Sequence, residues 1–225
     1  LFDYLAVSSG RFAMTKAEVD LFVEQFLKPF LSDFGSRKTL AAVELINEPE
    51  WILPYSNERG GVGSLIAKKR AISYDQYDYF VATLSGAIRQ ANHDLKRERD
   101  LRVTIGASIT RHRVATAPQV RPHLSDYSWH WYPELGGTFD QWLAAAPKDK
   151  PFRADEVPAF SRAAHYARQV LSPQQSMASV LRHGGVGMAL WDGTSLLQPR
   201  PLDAWTNPDR DALYAALQGA ADIAD

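Results

Sequence analysis

The sequence contains no cysteine, which excludes disulfides and thiolate metal ligands from its stability and its chemistry. It has no excess of either charge. Its 25 Lys and Arg face 26 Asp and Glu, leaving no electrostatic footprint for a nucleic acid or an anionic membrane. No apolar run approaches the roughly 18 residues that a membrane span requires. The opening Leu1-Phe2-Asp3-Tyr4-Leu5-Ala6-Val7 lacks a basic leader and a signal-peptide layout, so the expected location leans to the cytoplasm without being fixed. The six histidines show no metal-ligand spacing such as HExxH, and neither metal nor organic cofactor is expected. Gly60-Gly61-Val62-Gly63-Ser64 lacks the Gly-Lys-Ser/Thr of a phosphate cradle and reads as a flexible rim loop. Lys68-Lys69-Arg70 and Lys96-Arg97-Glu98-Arg99 read as solvated faces or helix ends.

What is present is an alternation of short apolar runs and helical patterns. A chain of 225 residues suits a single core, expected here as one domain over residues 1–225. The strand candidates are Leu1–Val7, Ala41–Ile46, Leu101–Ala107, Asp126–Trp131, Phe152–Val157 and Val186–Trp191, each brief and mostly apolar like strands buried on both faces. Thr15-Lys16-Ala17-Glu18 is a capping box, followed by Val19, Phe22, Val23, Phe26, Leu27 and Phe30 along one expected apolar face. Ser73-Tyr74-Asp75-Gln76 opens a second helix with the stripe Tyr77, Val81, Leu84 and Ile88. Thr138-Phe139-Asp140-Gln141 has the same form, and Ser172-Pro173-Gln174-Gln175 adds proline at the first helical position. Asn207-Pro208 starts a last helix carrying Leu213, Ala216, Leu217 and Ala220. The pattern predicts an α/β fold with about six parallel strands: an incomplete (β/α)8-type barrel lacking its first two βα units, or an open doubly wound sheet.

Two of these strands end in carboxylates. Ala41–Ile46 runs into Asn47-Glu48-Pro49, where proline stops ladder pairing, so an amide and a carboxyl lie at the C-terminal rim of the sheet. The run Phe152-Arg153-Ala154-Asp155-Glu156-Val157-Pro158 repeats the arrangement two candidate strands later. Two carboxyls about 5 Å apart suit a retaining glycosidase, and about 6.5–9.5 Å an inverting one. In Ser128-Trp129-His130-Trp131-Tyr132, His130 and Tyr132 are two apart on an extended segment and share a face. The last strand ends at Trp191, which is either packing or a flat platform for a sugar ring. Trp51, Tyr55, Trp129 and Trp131 divide between sugar stacking and core.

Taken in order, Asn47-Glu48-Pro49, His130-Trp131-Tyr132, Glu156 and Trp191 resemble the clan A glycoside hydrolases, most closely the family 5 cellulase- and mannanase-like group. The resemblance implies a retaining β-glycosidase acting by double displacement on a gluco-, galacto- or manno-configured β-linked saccharide. It implies Glu48 as general acid/base, Glu156 as nucleophile, and Asn47 on the sugar 2-hydroxyl. It further implies that Tyr132 donates to Glu156, that His130 lines the site, and that Trp191 stacks under the sugar ahead of a cis peptide to Asp192. Trp51 joins the substrate-binding set. These enzymes carry an Arg at the end of the second strand. No residue matches it here, and Arg11 and Arg153 stand as substitutes.

Missing strands would leave open sheet edges, so a homo-oligomer covering the gap is expected. Two other readings remain: a carbohydrate-binding remnant without turnover, and a barrel enzyme acting on a phosphorylated substrate.

Overall fold

The computed structural model of this chain describes residues 15–63, 72–132, 136–158 and 172–191. The predicted strand Leu1–Val7, the helix from Asn207, Arg11, Lys68-Lys69-Arg70, and the Trp191–Asp192 peptide lie outside the described residues, as does the Trp191 side chain. Five strands form a parallel sheet in the order β1-β2-β3-β4-β5: β1 (Ala42–Asn47), β2 (Arg102–Ser108), β3 (Tyr127–His130), β4 (Phe152–Pro158) and β5 (Met188–Trp191). Each falls within one or two residues of its expected position. The sequential order has no reversal among the described strands, whereas a doubly wound sheet reverses at its switch point. No helix among the described residues is long and apolar enough to cross a membrane. The chain divides into two compact units, Leu1–Tyr127 and Ser128–Asp225.

In the first unit the helical segment begins at the expected capping box: the Thr15 hydroxyl accepts from the Glu18 N–H while the Glu18 carboxylate accepts from the Thr15 N–H. Helix α1 (Lys16–Phe22) passes through a π turn at Val23–Leu27 into α2 (Lys28–Phe34). Pro29 accounts for the π turn: it has no N–H for the carbonyl four residues back, and its ring crowds that carbonyl, so the preceding turn opens. The apolar face also differs from expectation. Val19, Val23, Leu27 and Leu31 form the buried line, while Phe26 is exposed and Phe22 and Phe30 only half-buried. Four phenylalanines instead stack at i,i+4 along the flank, with centroids 5.0 Å apart for Phe22–Phe26, 6.1 Å for Phe26–Phe30 and 5.2 Å for Phe30–Phe34.

Helix α3 (Tyr74–Leu95) is capped by Ser73 and Gln76 and buries Tyr77, Phe80, Val81, Leu84 and Ile88 as its spacing dictates. Its buried Asn92 brackets the entry to β2, donating to the Leu101 carbonyl at 3.1 Å and accepting the Leu101 N–H at 2.9 Å. Strand β1 pairs with β2 through Glu44↔Thr104 and then Asn47↔Gly106, so three residues of β1 advance against two of β2. That bulge sits directly before the predicted site residue Glu48.

The second unit repeats the device. Ala154 pairs with Met188 and Val157 with Leu190, so β4 carries one extra residue against β5 across Asp155-Glu156. Helices α4 (Phe139–Ala145) and α5 (Pro173–Arg182), the latter with Pro at its first position, both begin with capping boxes. They are tied by Asp140, which accepts from the Ser179 hydroxyl, from Arg182 Nη1 at 2.9 Å, and lies 3.2 Å from His183 Nε2. Gly185 lets α5 return to the sheet, because a Cβ there would stand 2.7 Å from the Phe152 ring and 2.5 Å from Val180.

Candidate functional site

The chemistry-bearing groups lie at the C-terminal ends of β1 in one unit and of β3 and β4 in the other.

At the end of β1, the 3-10 turn Pro49–Trp51 begins as soon as the strand stops. Glu48 bridges the two with φ 45° and ψ 56°, a left-handed conformation that is costly for a residue with a side chain. Its N–H donates to the Gly106 carbonyl at 2.7 Å, and its carbonyl accepts the Trp51 N–H at 3.2 Å. The half-buried Glu48 carboxyl accepts the Trp51 indole N–H on Oε2 at 3.1 Å. Asn47 ends β1 opposite Gly106 with its side chain exposed.

Below this turn lies a group that the sequence reading passed over. Glu50 is 1% exposed, its Oε1 accepts the Ser108 N–H at the end of β2 at 2.8 Å, and its carbonyl accepts the Val62 N–H at 2.9 Å. Burial first, and then the Glu50 charge, hold the Tyr77 phenol well above its ordinary range, so it remains a neutral donor to the Val114 carbonyl at 2.9 Å. Apolar flanks and a proline gave a hint of Glu50's burial, but its partner is 58 residues away.

Residues 53–63, which take in all but the last residue of the glycine-rich run 60–64 expected to be a rim loop, are knitted by hydrogen bonds. Ser56 N–H donates to Gly61 O at 3.0 Å, Gly63 N–H to Leu53 O at 3.1 Å, and the Tyr74 hydroxyl to Pro54 O at 2.9 Å. Gly61 is required there, since a Cβ would stand 2.1 Å from that same Pro54 oxygen. The segment carries Tyr55, 66% exposed, and follows Trp51, 52% exposed.

In the second unit β3 and β4 bring His130, Tyr132 and Glu156 together. The Trp131 N–H donates to the Glu156 carbonyl at 2.9 Å, which sets the strand-end register. The alternation that aims Trp131 into the core against Phe139, with ring centroids 5.3 Å apart, turns His130 and Tyr132 the other way. Both reach the same atom. Tyr132 donates its hydroxyl to Glu156 Oε2, and His130 Nδ1 lies 3.3 Å from it. Glu156 is 9% exposed and His130 1%. Trp129 and Trp131 are core residues rather than stacking platforms. Arg153 is engaged by Asp155, Nε to Oδ2 at 3.0 Å. Neither unit taken alone gathers three His, Asp or Glu donors for a metal among the described residues.

No protein-family model matches this chain, and no curated protein matches it.

Proposed function

We propose that the protein is a retaining β-glycosidase, with Glu156 as nucleophile and Glu48 as general acid/base, on a (β/α)8-type barrel of which the five described strands are an arc. The observation that carries this reading is the set of contacts at Glu156: a nearly buried carboxylate receiving the Tyr132 hydroxyl, with His130 against the same oxygen. A donor held against a carboxylate favours its ionised form, the form a nucleophile needs.

In the first step a Glu156 oxygen bonds to the anomeric carbon as the glycosidic bond breaks, and the departing oxygen takes its proton from Glu48. In the second, Glu48 accepts a proton from water, the water oxygen bonds to the anomeric carbon, and Glu156 leaves as carboxylate. The Trp51 indole N–H holds one Glu48 oxygen. Trp191 and Asn47 would serve the sugar ring and its 2-hydroxyl. The open faces of Trp51 and Tyr55 suit a sugar beyond the cleaved bond.

The test is hydrolysis of a panel of aryl β-glycosides by wild type, Glu48→Gln and Glu156→Gln, with product stereochemistry followed by NMR. Turnover with retention, lost in Glu156→Gln, is the expected result. Cleavage of α-linked substrates only defeats the proposal. Sugar binding without turnover by folded wild-type protein makes it a carbohydrate-binding domain instead.

A further inference from the structure

The turn that carries Glu48 is anchored by a carboxylate for which double displacement has no use. A left-handed Glu is strained relative to its ordinary conformation, so the turn persists only where its surroundings hold it. Backbone bonds supply part of the hold: Glu48 N–H to Gly106 O, Trp51 N–H to Glu48 O, and Leu53 N–H to Pro49 O at 3.1 Å. The side-chain part is Glu50, whose Oε1 accepts the Ser108 N–H. That N–H belongs to the last residue of β2, two past the Gly106 that receives Glu48. The turn is therefore pinned to one strand end at two points, one on either side of the Glu48 side chain. A buried carboxylate carries a desolvation cost that an apolar residue would avoid. What it provides is a strong acceptor for a backbone N–H.

We propose that Glu50 is a positioning residue, whose bond to the Ser108 N–H holds the left-handed Glu48 and so aims the Glu48 carboxyl. The catalytic part of this rests on the reading of Glu48 as acid/base. The geometric part does not, and the Trp51 indole N–H reports it without turnover.

In 15N–1H spectra of the full chain, the Trp51 indole resonance is assigned by its loss in Trp51→Phe. Its movement with pH is ascribed to Glu48 by its loss in Glu48→Gln. Glu50→Ala is expected to move this resonance toward the position of a solvated indole and to abolish the Glu48-dependent movement. Glu50→Gln, whose amide oxygen still accepts from Ser108, keeps both. Ser108→Pro removes the same bond from the other side at φ −55°, an angle proline adopts, and is expected to reproduce Glu50→Ala. On aryl β-glycosides, Glu50→Ala and Ser108→Pro lower kcat for poor leaving groups by about 10–100-fold, the scale of a misplaced catalytic group. Good leaving groups, which need little acid assistance, lose about threefold or less. Glu50→Gln restores most of the loss.

An unchanged Trp51 resonance and titration in folded Glu50→Ala or Ser108→Pro overturns the positioning role. Collapse of the buried Trp129 and Trp131 resonances in both variants overturns it too, because Glu50 would then serve the core as a whole. A displaced Trp51 resonance in a protein whose wild type cleaves no glycoside upholds the positioning role and removes the glycosidase reading.

Discussion

The two glutamates are presented by the same backbone device and held by opposite means. Each follows or occupies a stretch where its strand carries one residue more than its parallel neighbour, β1 against β2 before Glu48 and β4 against β5 across Glu156. Beyond that they diverge. Glu156 stays in the strand, is nearly buried, and is fixed through its side chain by Tyr132 and His130. Glu48 has left the strand, is half-buried, is bonded through both its N–H and its carbonyl, and accepts the exposed Trp51 indole N–H on its carboxyl. In the proposed mechanism Glu156 must be unprotonated when it attacks, and donors around a carboxylate favour that form. Glu48, proposed to give up and regain a proton, is instead placed by the conformation of the turn that carries it.

The sharpest way to break this comparison is at the proposed nucleophile. Glu156→Gln is expected to lower kcat on the order of 10⁴-fold for every aryl β-glycoside, whatever the leaving group. Glu48→Gln should instead discriminate, with losses of about 10²–10⁴-fold for poor leaving groups and much smaller ones for good leaving groups in the first step. Equal losses across the leaving-group series in both variants would erase the assignment of separate roles. Tyr132→Phe tests the side-chain hold. Loss of a hydrogen bond to a charged group, about 1.5–3 kcal/mol, corresponds to roughly a 10–150-fold fall in kcat/KM. Trp51→Phe keeps a ring but deletes the donor to Glu48. At an exposed site about a fivefold effect or less is expected, so a loss matching that of Tyr132→Phe would contradict the difference between the two holds.

The smallest expected effect lies away from both carboxyls. Asp140 is held below the ordinary carboxylate range, first by the Ser179 hydroxyl and then by Arg182 and His183. A depressed folded value means that the contribution is fully present above the unfolded carboxylate pKa and is lost as pH falls through the lower folded value. Asp140→Asn should therefore lower the melting temperature by a few degrees at neutral pH, consistent with an exposed pair worth about 1 kcal/mol or less. The two proteins should converge at the acid end of a Tm–pH series.

How much of this was legible depends on how local the signal is. All four capping boxes, at Thr15, Ser73, Thr138 and Ser172, form as read, because each is complete within four residues. The five described strands were legible as apolar runs, and the α3 stripe as spacing. The α1 face departs from its pattern because phenylalanine is apolar enough to pass for core, and because Pro29 opens the turn before it. Neither the left-handed Glu48 nor the Glu50–Ser108 bond could be read, since both follow from where β2 ends, some 58 residues further on. The meeting of His130 and Tyr132 on Glu156 was half legible. Alternation placed the pair on one face; the family resemblance supplied Glu156 as the target of Tyr132, while for His130 it implied only a place lining the site.

The paired bulges also make this a protein whose length is guarded at two points. Side-chain facing along a strand has a parity, and an extra residue resets it for everything downstream. Deleting one residue between Glu44 and Asn47, or between Ala154 and Val157, leaves every remaining side chain unchanged in kind yet reverses which of them face one another. A library of single-residue deletions should therefore show two narrow intolerant windows, and at Leu45, Ile46 and Asp155 deletion should cost more folded protein than conservative substitution does.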